Sequence, residues 1–371
     1  MDPRPVMPLP LAGPLTLSPF RATMLQPGLV GDPASARLFG RPWRGVGGRL
    51  DSWERRRKVV QDQTPALYVH EYADGGTVVR GIVGLLDMTR RSDDASLARV
   101  VPHEEIHPRQ ADELADRMGQ MRLQPAPILL VHEASPELRA LTAAATAEAP
   151  MRQYADHAGQ HHRIWALRES GTHAAVQRAL SDARAVIADG HHRYAAYLRL
   201  QARDPGSGFD LGLAMLVDHD ATPLHLRAIH RVLPRVTVDD VRAAARLVDA
   251  PIEFRPAALR PEDVDGLVVT DGRRWAAVKL PHSPDRTLVE TVHERLIPAL
   301  PRGPWDIGYH HSQESALAAL RHRAATALLL PPPAYPEIRA SAFAGRMLPE
   351  KATSFQPKPH LGAIMRRLHD E

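Results

Sequence analysis

The chain has no cysteine in its 371 residues. That removes disulfides, thiolate metal centres, cysteine nucleophiles and thiol redox chemistry in one stroke. Aromatic residues are scarce at 5%, and no window offers the roughly 20 consecutive apolar residues of a membrane-crossing helix. Excess charge is lacking too: 47 Lys and Arg against 43 Asp and Glu leave a formal +4, too small a field to single out a nucleic-acid or membrane partner. The first residues contain Leu9, Leu11 and Leu15 but are interrupted by Pro3, Pro5, Pro8, Pro10 and Pro14 without a basic lead, so no signal peptide is expected and the cytoplasm is the expected compartment. What the chain has in quantity is proline, 34 residues, and histidine, 20.

The pattern predicts a Pro-rich tail over 1–18 and a single region over 19–371, with room for two lobes divided near 204–210. The runs 66–72 and 78–86 flank Asp74-Gly75-Gly76 and read as a hairpin. Helical patterning over 110–121, 138–148, 191–203, 238–248, 288–299 and 312–323 alternates irregularly with strand-like runs at 128–132, 185–188, 211–217, 224–232, 266–270, 275–280 and 325–330. Isolated strand–helix steps mixed with hairpins predict an α+β fold and not a regularly alternating parallel sheet.

His103-Glu104-Glu105-Ile106-His107 matches the H-E-x-x-H pattern of zinc proteases. Pro108 drives His107 out of helical geometry, so the two imidazoles are not expected on one helical face. The groups His157 with His161-His162, and His310-His311, offer metal-ligand types at spacings that define no coordination set, and no zinc is expected.

The segment Val186-Ile187-Ala188-Asp189-Gly190-His191-His192-Arg193-Tyr194 puts a buried strand, a glycine turn and a helix start in sequence. The tip of a helix offers N–H groups and partial positive charge to an anion. Arg193 adds a bidentate fork, His191 and His192 are hydrogen-bond donors or proton shuttles, and Asp189 could hold a divalent cation or accept a proton. The same residues also suit a plain capped helix with a solvated first turn. Tyr194, Tyr197 and Leu198 fall at core spacing.

Asp189 to Tyr194 resembles the signature of a bacterial and archaeal family known as domain of unknown function 1015. Pro19-Phe20-Arg21, the 102–108 segment followed by Ala111-Asp112, His162-Arg163-Ile164-Trp165, and the stretch from Met347 to Pro359 with Lys351 and Lys358 resemble the family's other motifs, in the family's order. The family's A-P-P-Y-D-V-like stretch has no counterpart in 26–42, a departure that bears on substrate handling. More distantly, Gly190 to Tyr197 is similar to the G-C-H-R-Y nucleotide-phosphate motif of sulfiredoxin, and the D-G-H-x-R run to that of a free-serine kinase of the ParB-type fold.

The resemblance implies a ParB/sulfiredoxin-like core and nucleotide binding. Sulfiredoxin's catalytic cysteine corresponds to His191, which excludes its reaction. What the likeness implies is an ATP- or ADP-dependent phosphotransferase acting on a small hydroxylated metabolite such as serine. Gly190, His191, His192 and Arg193 would hold phosphate. Asp189, Glu104 and His191 would serve catalysis, with Mg²⁺ on Asp189, while His103, Lys351 and Lys358 would contact substrate or nucleotide. The alternative is a non-catalytic nucleotide-dependent switch or partner-binding protein. DNA is not an expected partner, because 238–248 is a lone helix without a recognition mate. Neither the nucleotide base nor the oligomeric state is legible.

Overall fold

In the computed structural model, residues 5–94, 96–281, 286–301, 303, 306–321 and 324–368 are described. The start of the Pro-rich tail (1–4) and the end of the helix expected over 312–323 (322–323) lie outside them. The chain divides into two compact units, one made of residues 1–224 with 357–371 and the other of 225–356.

The first unit is built on a mixed sheet of ten strands. In chain order these are β1 (Leu11–Ala12), β2 (Leu17–Ser18), β3 (Leu67–Asp74), β4 (Thr77–Asp87), β5 (Ala98–Val101), β6 (Ile128–His132), β7 (Arg152–Ala155), β8 (His161–Leu167), β9 (Ala185–Asp189) and β10 (Leu211–Asp218). Across the sheet the order is β1-β5-β9-β6-β10-β4-β3-β8-β7, with β2 on β4. The hairpin is β3–β4, with Asp74 opposite Thr77. Among the described residues, β9 with β5 and β10 with β6 are the pairs of this sheet that run parallel. The middle of the sheet is buried over its length and apolar but for His132: every residue of Ile128–His132, and Ala185 to Ala188, is buried. Near-continuous apolar runs of this kind mark strands covered on both faces.

Helices α1 (Val46–Arg55), α2 (Pro108–Met121), α3 (Pro136–Ala147), α4 (Ser170–Leu180) and α5 (His191–Arg203) belong to this unit. Tyr194, Tyr197 and Leu198 of α5 are buried, as their spacing predicts. Within the stretch expected as a tail, Leu11, Leu15 and Leu17 enter the core, and two short strands there pair with β5 and β4.

The second unit holds a six-stranded antiparallel sheet. Its strands are β11 (His230–Pro234), β12 (Ile252–Arg255), β13 (Leu267–Thr270), β14 (Trp275–Val278), β15 (Gly308–His310) and β16 (Ala325–Leu329), in the order β12-β14-β13-β16-β11-β15. Its helices include α6 (Val238–Leu247), α7 (Gln313–Leu320) and α8 (Tyr335–Phe343). Two expectations change in detail. The single strand expected over 224–232 is split, His225–Arg227 pairing with Ser354–Gln356 while His230–Pro234 joins the six-stranded sheet. The helix expected over 288–299 is one α-turn, Leu288–Thr291, that widens into a π-turn over Val292–Leu296. The fold is α+β, as the sequence predicts.

Candidate functional site

Strand β9 runs between β5 and β6 and ends at Asp189. Gly190 then turns the chain with φ 92° and ψ 30°, in the left-handed region that a residue with a Cβ rarely adopts. A Cβ there would lie 3.0 Å from the Arg193 guanidinium. The first helical bond of α5, Tyr194 N–H to the Gly190 carbonyl, measures 2.8 Å. The first-turn N–H groups of residues 191–193 therefore lie at the helix tip. Below the tip α5 is anchored by Tyr194, whose hydroxyl donates to the Leu9 carbonyl (2.6 Å), and by its packing on α2.

Asp189 is not the helix cap; Gly190 holds that position. The Asp189 carboxylate instead accepts from Arg193 Nη2 at 2.6 Å through Oδ2 and from Lys358 Nζ through Oδ1. Arg193 spends its other arm on the Pro127 carbonyl, also at 2.6 Å. Its side chain is 22% exposed, so it is no freely solvated first-turn residue.

The 103–107 segment lies against the same helix start. His103 is fully buried, with its ring edge-on to that of His191 at 4.6 Å between centroids. Glu104 Oε2 is 3.8 Å from His191 Nδ1. One ligand-type atom from each of His103, Glu104 and His191 falls within 4.8 Å of the others. The His107 backbone N–H donates to His192 Nε2 at 3.1 Å. His107 itself caps α2 in extended conformation (φ −78°, ψ 116°), and Ile106 bridges Val6. The H-E-x-x-H letters therefore sit on no continuous helix, as Pro108 leads one to expect. Burial pushes the His103 imidazole down to about 3, against a weaker opposing pull from the Ile187 backbone, so it is neutral at physiological pH.

Lys358 arrives on a segment fastened at several points. The Tyr72 hydroxyl donates to the Pro357 carbonyl (3.0 Å), Gln160 Nε2 donates to the Lys358 carbonyl (3.1 Å), and the His360 N–H donates to Gln160 Oε1 (3.3 Å). Tyr72 is held protonated, its pKa raised by burial and by the Asp189 charge. Lys351 belongs to the second unit, where its carbonyl accepts from Arg231 Nη2 at 3.1 Å and its φ is 56°.

In the first unit, then, Asp189, Gly190, Arg193 and Lys358 form one group, and His103, Glu104 and His191 another around the same helix start. Sequence reasoning missed the supports: Pro127, Tyr72 and Gln160 carry no motif of their own. A cavity of about 230 Å³, lined by residues including Ile82, His132, Leu138, Arg139 and Leu216, lies elsewhere. His132 pairs with Ala185 and Leu129 with Asp189, so this cavity sits at the opposite end of the β6–β9 ladder from Asp189.

The chain belongs to the family described as Protein of unknown function (DUF1015), which it matches over residues 41–299. Comparison with curated proteins gives no match. Among solved structures, similar chains include a free serine kinase in complex with AMP, at 12% identity and TM-score 0.41, covering 73% of this chain and 88% of that one. SbnI from Staphylococcus aureus, truncated at its C-terminus, is similar at 12% identity and TM-score 0.44, covering 76% and 85%. A conserved hypothetical protein from Pyrococcus furiosus is similar at 13% identity and TM-score 0.38, covering 73% and 93%. Among the described residues no helix is long and apolar enough to cross a membrane.

Proposed function

We propose that the chain binds the phosphates of ATP or ADP at the tip of α5 and transfers a phosphoryl group to the hydroxyl of a small metabolite, as the motif's likeness to a free-serine kinase implies. The observation that supports this most is the left-handed Gly190 turn at the end of a central strand, opening onto a helix tip with two cations, Arg193 and Lys358, already gathered there. Gly190 allows close backbone approach, the tip favours negative charge, and both cations can exchange a carboxylate for phosphate oxygens.

Phosphoryl transfer asks mainly for positioning and neutralisation of charge. In the proposed reaction the substrate hydroxyl oxygen forms a bond to the terminal phosphorus. The bond from that phosphorus to the nucleotide oxygen breaks, and the electron pair leaves with the nucleotide. Glu104 or Asp189 takes the hydroxyl proton. Asp189 and Glu104 supply the hard oxygen ligands that Mg²⁺ requires, and Mg²⁺ would supply charge neutralisation on the phosphates. His103, being neutral, serves to hold the His191 ring and not as a cation. His192, tied to the His107 backbone, keeps the 103–107 segment against the helix.

A second reading is favoured by one feature: Asp189 engages both Arg193 and Lys358, an ion-pair group that an incoming phosphate would break open. In that reading the same event is a nucleotide-dependent switch without turnover, detected by a partner.

Calorimetric titration of wild type and Arg193→Ala with ATP, ADP, CTP and GTP, with and without Mg²⁺, tests the phosphate site. The expected result is loss of at least tenfold in affinity for the preferred nucleotide in the variant. No binding of any nucleotide by the wild type overturns both readings. Incubation with serine and related hydroxylated acceptors, followed by ³¹P NMR, then separates kinase from switch.

A further inference from the structure

A second cluster, far from the 189–193 motif in sequence, gathers in the first unit around Asp156. We propose that Asp156, His162 and His360 form a binding site for a divalent transition-metal ion of the Zn²⁺ or Mn²⁺ type. This inference does not rest on nucleotide binding.

Asp156 sits in the turn joining β7 to β8. Its Oδ1 accepts the N–H groups of Ala158 and Gln160, both at 2.9 Å, which fixes the plane of the carboxylate. Oδ2 is left facing two imidazole nitrogens, His162 Nε2 at 3.1 Å and His360 Nδ1 at 2.5 Å. The three ligand-type atoms lie within 4.8 Å of one another. The Asp156 and His162 side chains have no exposed surface, and that of His360 is one-third exposed. Among the described residues no Arg or Lys pairs with Asp156. The groups that meet its buried charge are the two imidazoles and the two backbone N–H donors, and a metal ion shared by Oδ2 and both imidazoles would compensate that charge in a low dielectric.

The surroundings of His162 are those of a metal ligand. Its Nδ1 lies 3.0 Å from His70 Nε2; with the proton on Nδ1 this is the outer hydrogen bond that leaves Nε2 unprotonated and facing the cluster. The His70 ring meets that edge nearly parallel, at 16° with centroids 5.2 Å apart, and Tyr154 stacks on the His162 ring at 4.9 Å and 20°. Gly31 completes the enclosure. It has φ 72°, and a Cβ on it would stand 3.2 Å from both Asp156 Oδ2 and His360 Nδ1, so glycine keeps open the space beside two of the ligand atoms. Two imidazoles and one carboxylate suit borderline transition metals, whereas Mg²⁺ and Ca²⁺ favour all-oxygen sets. A bound ion would also pin the irregular segment that bears Lys358, two residues before His360.

The test is titration of the full chain, stripped with EDTA, with Zn²⁺ and separately with Mn²⁺, against a competing chromophoric chelator. Wild type, His360→Ala, Asp156→Asn and Glu104→Ala are compared, and thermal unfolding is followed in parallel. In the absence of nucleotide, the expected result is one tightly held ion at the Asp156 cluster with a raised unfolding midpoint. Affinity should fall at least tenfold in His360→Ala and in the near-isosteric Asp156→Asn, and stay within twofold in Glu104→Ala. Circular dichroism checks that each variant is folded, and Asp156→Asn decides the matter should His360→Ala misfold. Wild type that binds neither metal overturns the proposal. So does binding that survives both cluster variants and is lost in Glu104→Ala, which would move the ion to His103, Glu104 and His191.

Discussion

Gly190 has φ 92° and its missing Cβ would press on the Arg193 guanidinium, so this residue joins backbone geometry to the cation beside it. Replacing it with alanine forces an L-residue into the left-handed region and displaces Arg193. Gly190→Ala is expected to cost about 1–2 kcal/mol in stability and to weaken nucleotide binding more than tenfold. Urea unfolding and nucleotide titration measure the two effects separately; unchanged affinity in a folded variant would mean that no phosphate approaches this turn. At this scale the sequence was informative about residue types and silent about pairing. Asp189, Gly190 and Arg193 were legible because a strand, a glycine and a cationic helix start are adjacent in the chain. The engagement of Arg193 with Pro127, and of Lys358 with Asp189, spans 66 and 169 positions. Local pattern carries no information over such spans.

At the scale of elements, the decisive piece is the 357–360 segment, irregular in backbone and secured by side chains from β3 and from the turn before β8. Gln160 is its main fastening: the side chain is buried and bonds to the segment at both its carbonyl and its amide. Gln160→Ala is expected to release Lys358 from Asp189, lowering nucleotide affinity three- to tenfold. The helix content should not change, and the lost buried hydrogen bonds should cost about 1–3 kcal/mol. Affinity unchanged in this variant, beside a weakened Lys358→Ala, would show that the fastening is not what positions the lysine. The β3–β4 hairpin and helix α5 were readable because alternation, a Gly-Gly turn and helical spacing are local signals. The 161–167 strand shows in the sequence only through the His162–Trp165 motif, since its alternating exposed and buried residues include His161, His162 and Arg163. Hydrophobicity alone does not find such a strand.

Across the whole molecule, buried histidines set an acid limit. Burial, the first cause in each case, pushes His103 and His293 down to about 3 and His132 and His230 to about 4. These imidazoles stay neutral in the folded chain and take up a proton on unfolding once the pH is below about 6.5. Their contribution to stability is therefore complete above that pH and is lost as the pH falls toward 4. The slope is about 1.4 kcal/mol per pH unit for each such residue. They lie in both units, His103 and His132 in one, His230 and His293 in the other, so both are expected to melt at lower temperature between pH 7 and pH 4.5. Scanning fluorimetry across that range tests this. A flat midpoint, or a slope that His132→Asn leaves unaltered, would contradict it.

The sequence by itself determined what the chain lacks, the α+β class, the family and the strand–glycine–helix junction, because each is written in composition or in contiguous residues. Only the tertiary structure decided that His103 and Glu104 stand beside His191, that Arg193 and Lys358 share Asp189, and that Asp156, His162 and His360 meet. Those groupings come from sheet order and from a C-terminal segment returning to the first unit, and contacts between residues so far apart in the chain are fixed by packing, not by spacing.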